Sequence, residues 1–229
     1  MSSFAFGFYY NITYNFGTLT QQEINANALR IRDLLRPLGW TDNAIAGLLA
    51  NIQSEGIFNP GQCENSYQQT PSSDYEPWIP YGIGLCQWTG NPPPASNPYP
   101  NLLMEYSNDA GTVWYDGSLQ CTLIDTGSGY FINRNHSDYV FSYSFSEFKA
   151  WTGSPYESAC GWLYNYERPG GIDDDGPIAQ RTRDVRGQRG LDWYEYITSH
   201  PWVPTIDPKL LVTLIANRKN KNVKGVIIK

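Results

Sequence analysis

The sequence is poor in metal ligands, in charge and in long apolar runs. It contains two histidines, His136 and His200, and four cysteines, Cys63, Cys86, Cys121 and Cys160, none in a Cys-x-x-Cys spacing. That excludes the usual structural zinc patterns, and no metal or other cofactor is expected. The four thiols read as buried core residues, with one or two disulfides open if the protein works outside a cell. No apolar run approaches the roughly 20 residues of a bilayer-crossing helix, so no membrane span is expected. The opening "MSSFAFGFYYNITYNFG" lacks both a basic n-region and a continuous aliphatic stretch, so no signal peptide is expected. Charged residues make up only 17%, and the net charge of −6 is unevenly spread. Residues 205–229 hold six basic side chains and one acid (Asp207), a local charge of +5, which leaves −11 on the rest. An acidic body argues against nucleic acid as the main partner.

What the sequence does have is aromatic residues: 8 Trp, 17 Tyr and 9 Phe in 229 residues. Such rings suit sugar and protein contacts as well as cores, so abundance alone assigns nothing. Phe4, Phe6, Phe8 and Tyr10 alternate with small and polar residues, and residues 1–19 read as an extended arm whose rings need a partner or the main body to cover them. "TQQE" places Thr20 and Glu23 at capping-box spacing. Ile24, Ala28, Ile31 and Leu35 then recur at helical spacing until Pro37 and Gly39. Thr41 can cap a second helix, whose Ile45, Leu48, Leu49 and Ile52 share one face. Residues 56–100 are rich in Gly, Pro, Asn, Ser and Tyr and predict a small hairpin with long loops. Further helices are expected near 101–107, 119–131, 146–152, 155–165 and 179–198. Asp173, Asp174 and Asp175 are expected to cap the last of these. The C-terminal run reads as a small hairpin or linker strand. The domain pattern is an arm (1–19), a body (20–200) and a basic extension (201–229).

The second helix runs into Glu55 in "NIQSEGIFNPGQ". At about 100° per residue, Glu55 lies within about 20° of the azimuth of Leu48, so the acid continues the apolar face. It also stands at the negative end of the helix dipole. Burial and dipole together are expected to favour its protonated form, which suits a general acid for glycosidic cleavage. The other reading is a cap-region glutamate turned to solvent. About thirty residues on, "YGIGLCQWTG" combines close-set glycines with Gln87, able to donate to and accept from a sugar, and Trp88, a ring able to stack on a pyranose.

Together, "E-x-x-F-N-P" and "G-L-x-Q-W" resemble the lysozyme-like peptidoglycan hydrolases, soluble lytic transglycosylases included, and most closely the phage tail lysozyme family. "SLQCTLI" is similar to a following helix of that family, and "YERPGG" to its distal motif. The resemblance covers roughly residues 20–197. It implies an α+β, mainly α, lysozyme-like fold with a small hairpin and loop region between helices. It also implies Glu55 as the catalytic acid, Gln87 in the glycan groove, and Tyr166 and Glu167 in the opposite wall. Three departures stand out. Gly56 replaces a common serine, Cys86 replaces Met or Ala, and the insertion "NPPPASNPYP" follows the second motif.

A second catalytic group is expected among the acids between the two motifs, with Asp74 ahead of Glu64 and Glu76, unless the sugar's own 6-hydroxyl attacks. Glu167 is read either as a groove residue or, preferably, as the partner of Arg168 or of an arginine in "QRTRDVRGQR". The implied activity is cleavage of the MurNAc–GlcNAc bond of host peptidoglycan by a virion tail protein. Residues 1–19 and 205–229 would serve as contacts to other tail proteins. Rival readings are a non-catalytic glycan-binding tail component and a free endolysin.

Overall fold

A computed structural model describes residues 2–71, 75–127, 131–132, 143–168, 170, 172 and 176–201. Asp74, Asp173 to Asp175 and residues 205–229 lie outside these, so the expectations placed on them are not addressed by the fold. Secondary structure is mostly helical, with one two-stranded antiparallel sheet among the described residues. The strands are β1 (Ser3–Ala5) and β2 (Phe8–Tyr10). The helices are α1 (Gln21–Leu35), α2 (Asp42–Glu55), α3 (Leu102–Ala110), α4 (Gly117–Thr126), α5 (Phe145–Lys149), α6 (Pro155–Trp162) and α7 (Pro177–Ser199).

The helix starts follow from local chemistry. Thr20 and Glu23 form both halves of the capping box at α1. Thr41 accepts from the Ala44 N–H at α2, and Ser144 with Glu147 repeats the capping box at α5. α4 stops sooner than its apolar pattern suggests. Gly127 turns left-handed (φ 65°), and the Phe145 ring packs where a side chain there would stand, 2.7 Å from a Cβ. The N-cap of α7 is Gly176, with Pro177 in the first turn, where its fixed φ suits a helix start.

α2 is the spine of the body. Every residue from Ala44 to Ile52 is buried. α6 and α7 pack on it and on each other through glycines that bring backbones close. A Cβ on Gly47 of α2 would lie 2.3 Å from Ser158 Oγ of α6, and one on Gly187 of α7 would lie 2.3 Å from the Tyr156 ring. Three helices therefore meet tightly along α2, the helix that ends on Glu55.

The one regular hairpin among the described residues is at the N-terminus, and the described part of 56–100 is mainly loops tied by isolated antiparallel bridges, such as Cys63 with Ile83 and Ile83 with Trp88. Of the two covers expected for the rings of residues 1–19, the main body supplies one. The Phe8 ring is fully buried in the main core, in space that Gly117 of α4 leaves open. Phe4, Phe6, Ile12 and Phe16 remain exposed. All four cysteines are buried free thiols.

Candidate active site

The last turns of α2 carry a polar ladder joined to α7. Asn51, fully buried, donates from Nδ2 to the Gly47 carbonyl at 2.8 Å and to the Ala159 carbonyl of α6 at 3.0 Å. Arg186 of α7 donates from Nη1 to the Asn51 carbonyl (3.0 Å) and to Asn51 Oδ1 (3.1 Å). From Nη2 it donates to Glu55 Oε1 at 2.6 Å. One turn on, Arg189 donates to Ser54 Oγ, and Trp193 Nε1 donates to Gln53 Oε1 at 2.9 Å. The pair is unevenly covered, with 9% of the Arg186 side chain exposed and 24% of Glu55. The picture of an acid alone on an apolar face is corrected: Glu55 has a counter-charge, and its side chain is still partly exposed.

Behind it, the chain after α6 widens into a π-helical turn, Leu163–Glu167. Such turns are rare and cluster at functional sites. Here the wider turn lets Trp162 Nε1 donate to Glu167 Oε1 at 2.9 Å. Glu167 is partly buried as a residue, yet protein crowds its carboxyl. Burial first, then the nearby negative charge of Glu55, push it up to about 8, against weaker opposition from the Trp162 bond and from Arg186 and Arg168. Arg186, one of the arginines offered by "QRTRDVRGQR" as a partner for Glu167, makes its ion pair with Glu55. The two carboxyls thus share one field around Arg186, and Glu167 is the one held protonated near neutrality.

The glycine loop lies over the end of α2. Gly84 has φ 78°, and its carbonyl would stand 3.1 Å from a Cβ on Gly56. The absence of the common serine therefore has a steric counterpart: the loop backbone occupies that space. The loop is held from below by Gln120 of α4, whose Oε1 accepts from the Leu85 N–H (2.8 Å) while Nε2 donates to the Pro60 and Trp114 carbonyls (both 2.8 Å). Gln87 sits left-handed (φ 49°) and folds its Nε2 back to the Gly84 carbonyl at 2.9 Å, over Gly82. Its amide shapes the loop through Nε2. Cys86 is buried beside both carboxyls. Burial first, then Glu167 and Glu55, raise its thiol well above the ordinary range, so it is no nucleophile.

Trp88 is 1% exposed, so its ring belongs to the core and offers no stacking face, and Tyr166 is as deeply buried, at 2%. Trp88 Nε1 donates to Tyr166 Oη at 2.9 Å, and the Tyr166 ring stacks on Trp162 with centroids 4.2 Å apart. They buttress Trp162, and through it Glu167. Exposed rings on the neighbouring loop include Tyr67, Tyr75 and Trp78, the last 47% exposed. That loop is laced to the glycine loop, since the Gly90 N–H donates to the Ile79 carbonyl at 2.8 Å. Glu64 accepts from the Gly82 N–H at 3.0 Å, which gives it a structural bond beside Gln87. The pattern reading missed Arg186, Asn51 and Trp162. The one signal for Asn51 was its position four residues before Glu55, on the same helix face.

A mainly helical body that ends its buried central helix on a carboxylate, beneath a glycine loop and beside a second acid, defines the lysozyme-like class. The chain belongs to the phage tail lysozyme family, whose model matches residues 26–197. It is also similar to "Morphogenesis protein 1" of Bacillus phage B103, 31% identical over 182 residues, which is 79% of this chain. The chain spans 41% of that relative's length.

Proposed function

We propose that the protein is a tail-associated muralytic enzyme that cleaves the MurNAc–GlcNAc strand of host peptidoglycan during infection, with Glu55 as general acid. The observation that carries this reading is the placement of Glu55 at the open end of α2, bonded to Arg186 and sharing its field with Glu167. In this mechanism the proton held by Glu167 passes to Glu55 as the bond to Arg186 breaks, and Glu55 then gives it to the glycosidic oxygen as the leaving sugar departs. Glu167, kept protonated by burial, is the reserve of that proton. Arg186 stabilises whichever carboxylate is left charged. Gln87 orients the sugar, and Trp78 supplies the stacking face first assigned to Trp88. Asp74 keeps its proposed role as the group that activates water. Without it, attack by the sugar's 6-hydroxyl gives a 1,6-anhydro end.

Membership of a tail lysozyme family and likeness to a protein named for morphogenesis support a place in the virion, acting at the cell wall from outside. The exposed rings of residues 1–19 and the basic residues 205–229 are the proposed contacts to other tail proteins.

Purified peptidoglycan incubated with wild type and with Glu55→Gln tests the reading. Wild type is expected to release glycan fragments and the variant to release almost none. Mass spectrometry of the ends then names the reaction: reducing ends for hydrolysis, 1,6-anhydro ends for transglycosylation. Equal release by both proteins removes Glu55 from the role. No release by wild type favours a structural tail component.

A further inference from the structure

The chain leaves Glu55 through a turn whose two central residues, Ile57 and Phe58, have φ of 47° and 59°. The Asn59 N–H closes the turn onto the Gly56 carbonyl at 2.9 Å. Positive φ at both central positions is the pattern of a type I′ turn, which normally takes Gly, Asn or Asp. A β-branched Ile and a Phe are strained there, and such strain persists only where surrounding structure over-determines it.

Two buried asparagines supply that surrounding structure. Asn27 of α1 donates from Nδ2 to the Phe58 carbonyl (2.8 Å) and to the Tyr9 carbonyl (2.7 Å), and its Oδ1 accepts from the Tyr9 N–H (2.9 Å). Asn59 donates from Nδ2 to the Asn11 carbonyl (2.8 Å), and its Oδ1 accepts from the Asn11 N–H (3.0 Å) and the Gly61 N–H (3.0 Å). Each amide therefore ties the N-terminal segment to the turn after Glu55. Gly61 permits the approach, since a Cβ there would stand 2.5 Å from the Asn11 carbonyl oxygen. The Thr13 N–H to Gly61 and Cys63 N–H to Thr13 bonds, at 3.2 and 2.8 Å, extend the splice. Phe8 anchors the segment in the core. From inside the body, the Phe58 ring packs edge-on against Trp193, centroids 4.8 Å apart, and Trp193 belongs to the same helix as Arg186.

We propose that the segment from Phe8 to Thr13, which lies outside the matched family region, is a positioning element for Glu55. Through Asn27 and Asn59 it clamps the strained Gly56–Asn59 turn that fixes how α2 presents its terminal carboxyl to Arg186. The inference rests on the muralytic reading for its kinetic test and carries a second readout that does not.

The test compares wild type, Asn59→Ala, Ile57→Gly and the double variant on soluble peptidoglycan fragments. Glycine adopts positive φ without strain, so in the double variant the turn no longer needs the clamp. Asn59→Ala is expected to lower kcat on the order of 10- to 100-fold, the scale of a misplaced catalytic group. KM is expected to stay within about twofold, and Ile57→Gly should restore most of the loss. Wild-type turnover in Asn59→Ala, or a loss that Ile57→Gly does not rescue, overturns the proposal. Should Asn59→Ala not fold, Asn59→Asp, which keeps the acceptor for Asn11 and Gly61, carries the same comparison. The ¹³C shift of the Glu55 carboxyl reports the Arg186 contact without any turnover. It should move in Asn59→Ala and return in the double variant, and an unmoved resonance overturns the clamp. If wild type cuts no glycan, the muralytic reading fails, and the carboxyl resonance alone decides on the clamp.

Discussion

Arg186 Nη2 stands 2.6 Å from Glu55 Oε1, while Nη1 of the same guanidinium holds both oxygens of Asn51. One planar fork therefore fixes the last turn of α2 against α7, which a single ammonium cannot do. Arg186→Lys should keep the fold, cost about 1–3 kcal/mol in chemical denaturation through the unpaired Asn51 groups, and depress glycan release. Arg186→Met should cost more, because Glu55 then loses its counter-charge as well. A lysine variant with wild-type stability and turnover would remove the fork from the account.

Glu167 makes stability depend on pH. Its folded carboxyl sits at about 8 against an ordinary 4.5. Between those values the unfolded chain releases a proton that the folded chain keeps, so stability falls as pH rises. The contribution is whole below about 4.5 and lost above about 8. Glu167→Gln should cancel that slope and be the more stable protein at pH 8, with the two converging at pH 4.5. Denaturation curves across this range check it. If Glu167 holds the proton used in cleavage, the alkaline limb of the rate profile near pH 8 should flatten in the same variant.

How much was legible in the sequence tracks the range of each interaction. Caps are local, so Thr20 with Glu23 and Thr41 could be placed from spacing alone. The ending of α2 on Glu55 also followed from pattern and breakers. Arg186 did not, because it is one of four arginines in "QRTRDVRGQR", and only the crossing of α7 over α2 chooses it to meet a residue 131 positions away. Trp88 and Trp78 are chemically alike in the sequence. Which is core and which is exposed depends on Tyr166, 78 positions from Trp88. The alternation around Phe8 read correctly as extended chain. Its burial needed the gap at Gly117, and the π-helical turn at Glu167 has no local signature.

Trp88→Phe separates the core role of that ring from a sugar-binding one. It deletes the bond to Tyr166 Oη and keeps most of the apolar volume. The expected result is a loss of about 1 kcal/mol from the deleted buried hydrogen bond, with affinity for a glycan oligomer unchanged. Tyr166→Phe should cost less, and the double variant should be less than additive, since both changes break one bond. Calorimetric binding together with thermal unfolding reads both quantities. Trp78→Ala should show the reverse: weaker binding with little change in stability, as an exposed ring has little core packing to lose.

Gly56→Ser tests the position where the chain departs from the pattern it otherwise follows. A Cβ there would lie 3.1 Å from the Gly84 carbonyl oxygen and 3.5 Å from Gln62 Cβ. At φ −133° the backbone itself accepts a side chain, so the cost is only what the loop must yield. That loop is braced by Gln120 at Leu85 and by the Gly84 N–H on the Gln62 carbonyl, so it yields reluctantly. We expect a loss of about 1 kcal/mol, the low end for overpacking, and a several-fold fall in turnover as Gly84 and Gln87 move off the groove. Gln120→Ala in the same background should free the loop, so that Gly56→Ser costs less there than in the otherwise native chain. If the serine instead raises activity in the native background, its hydroxyl has found the Glu55 carboxyl, and the glycine is a loss of function and not an accommodation of the loop.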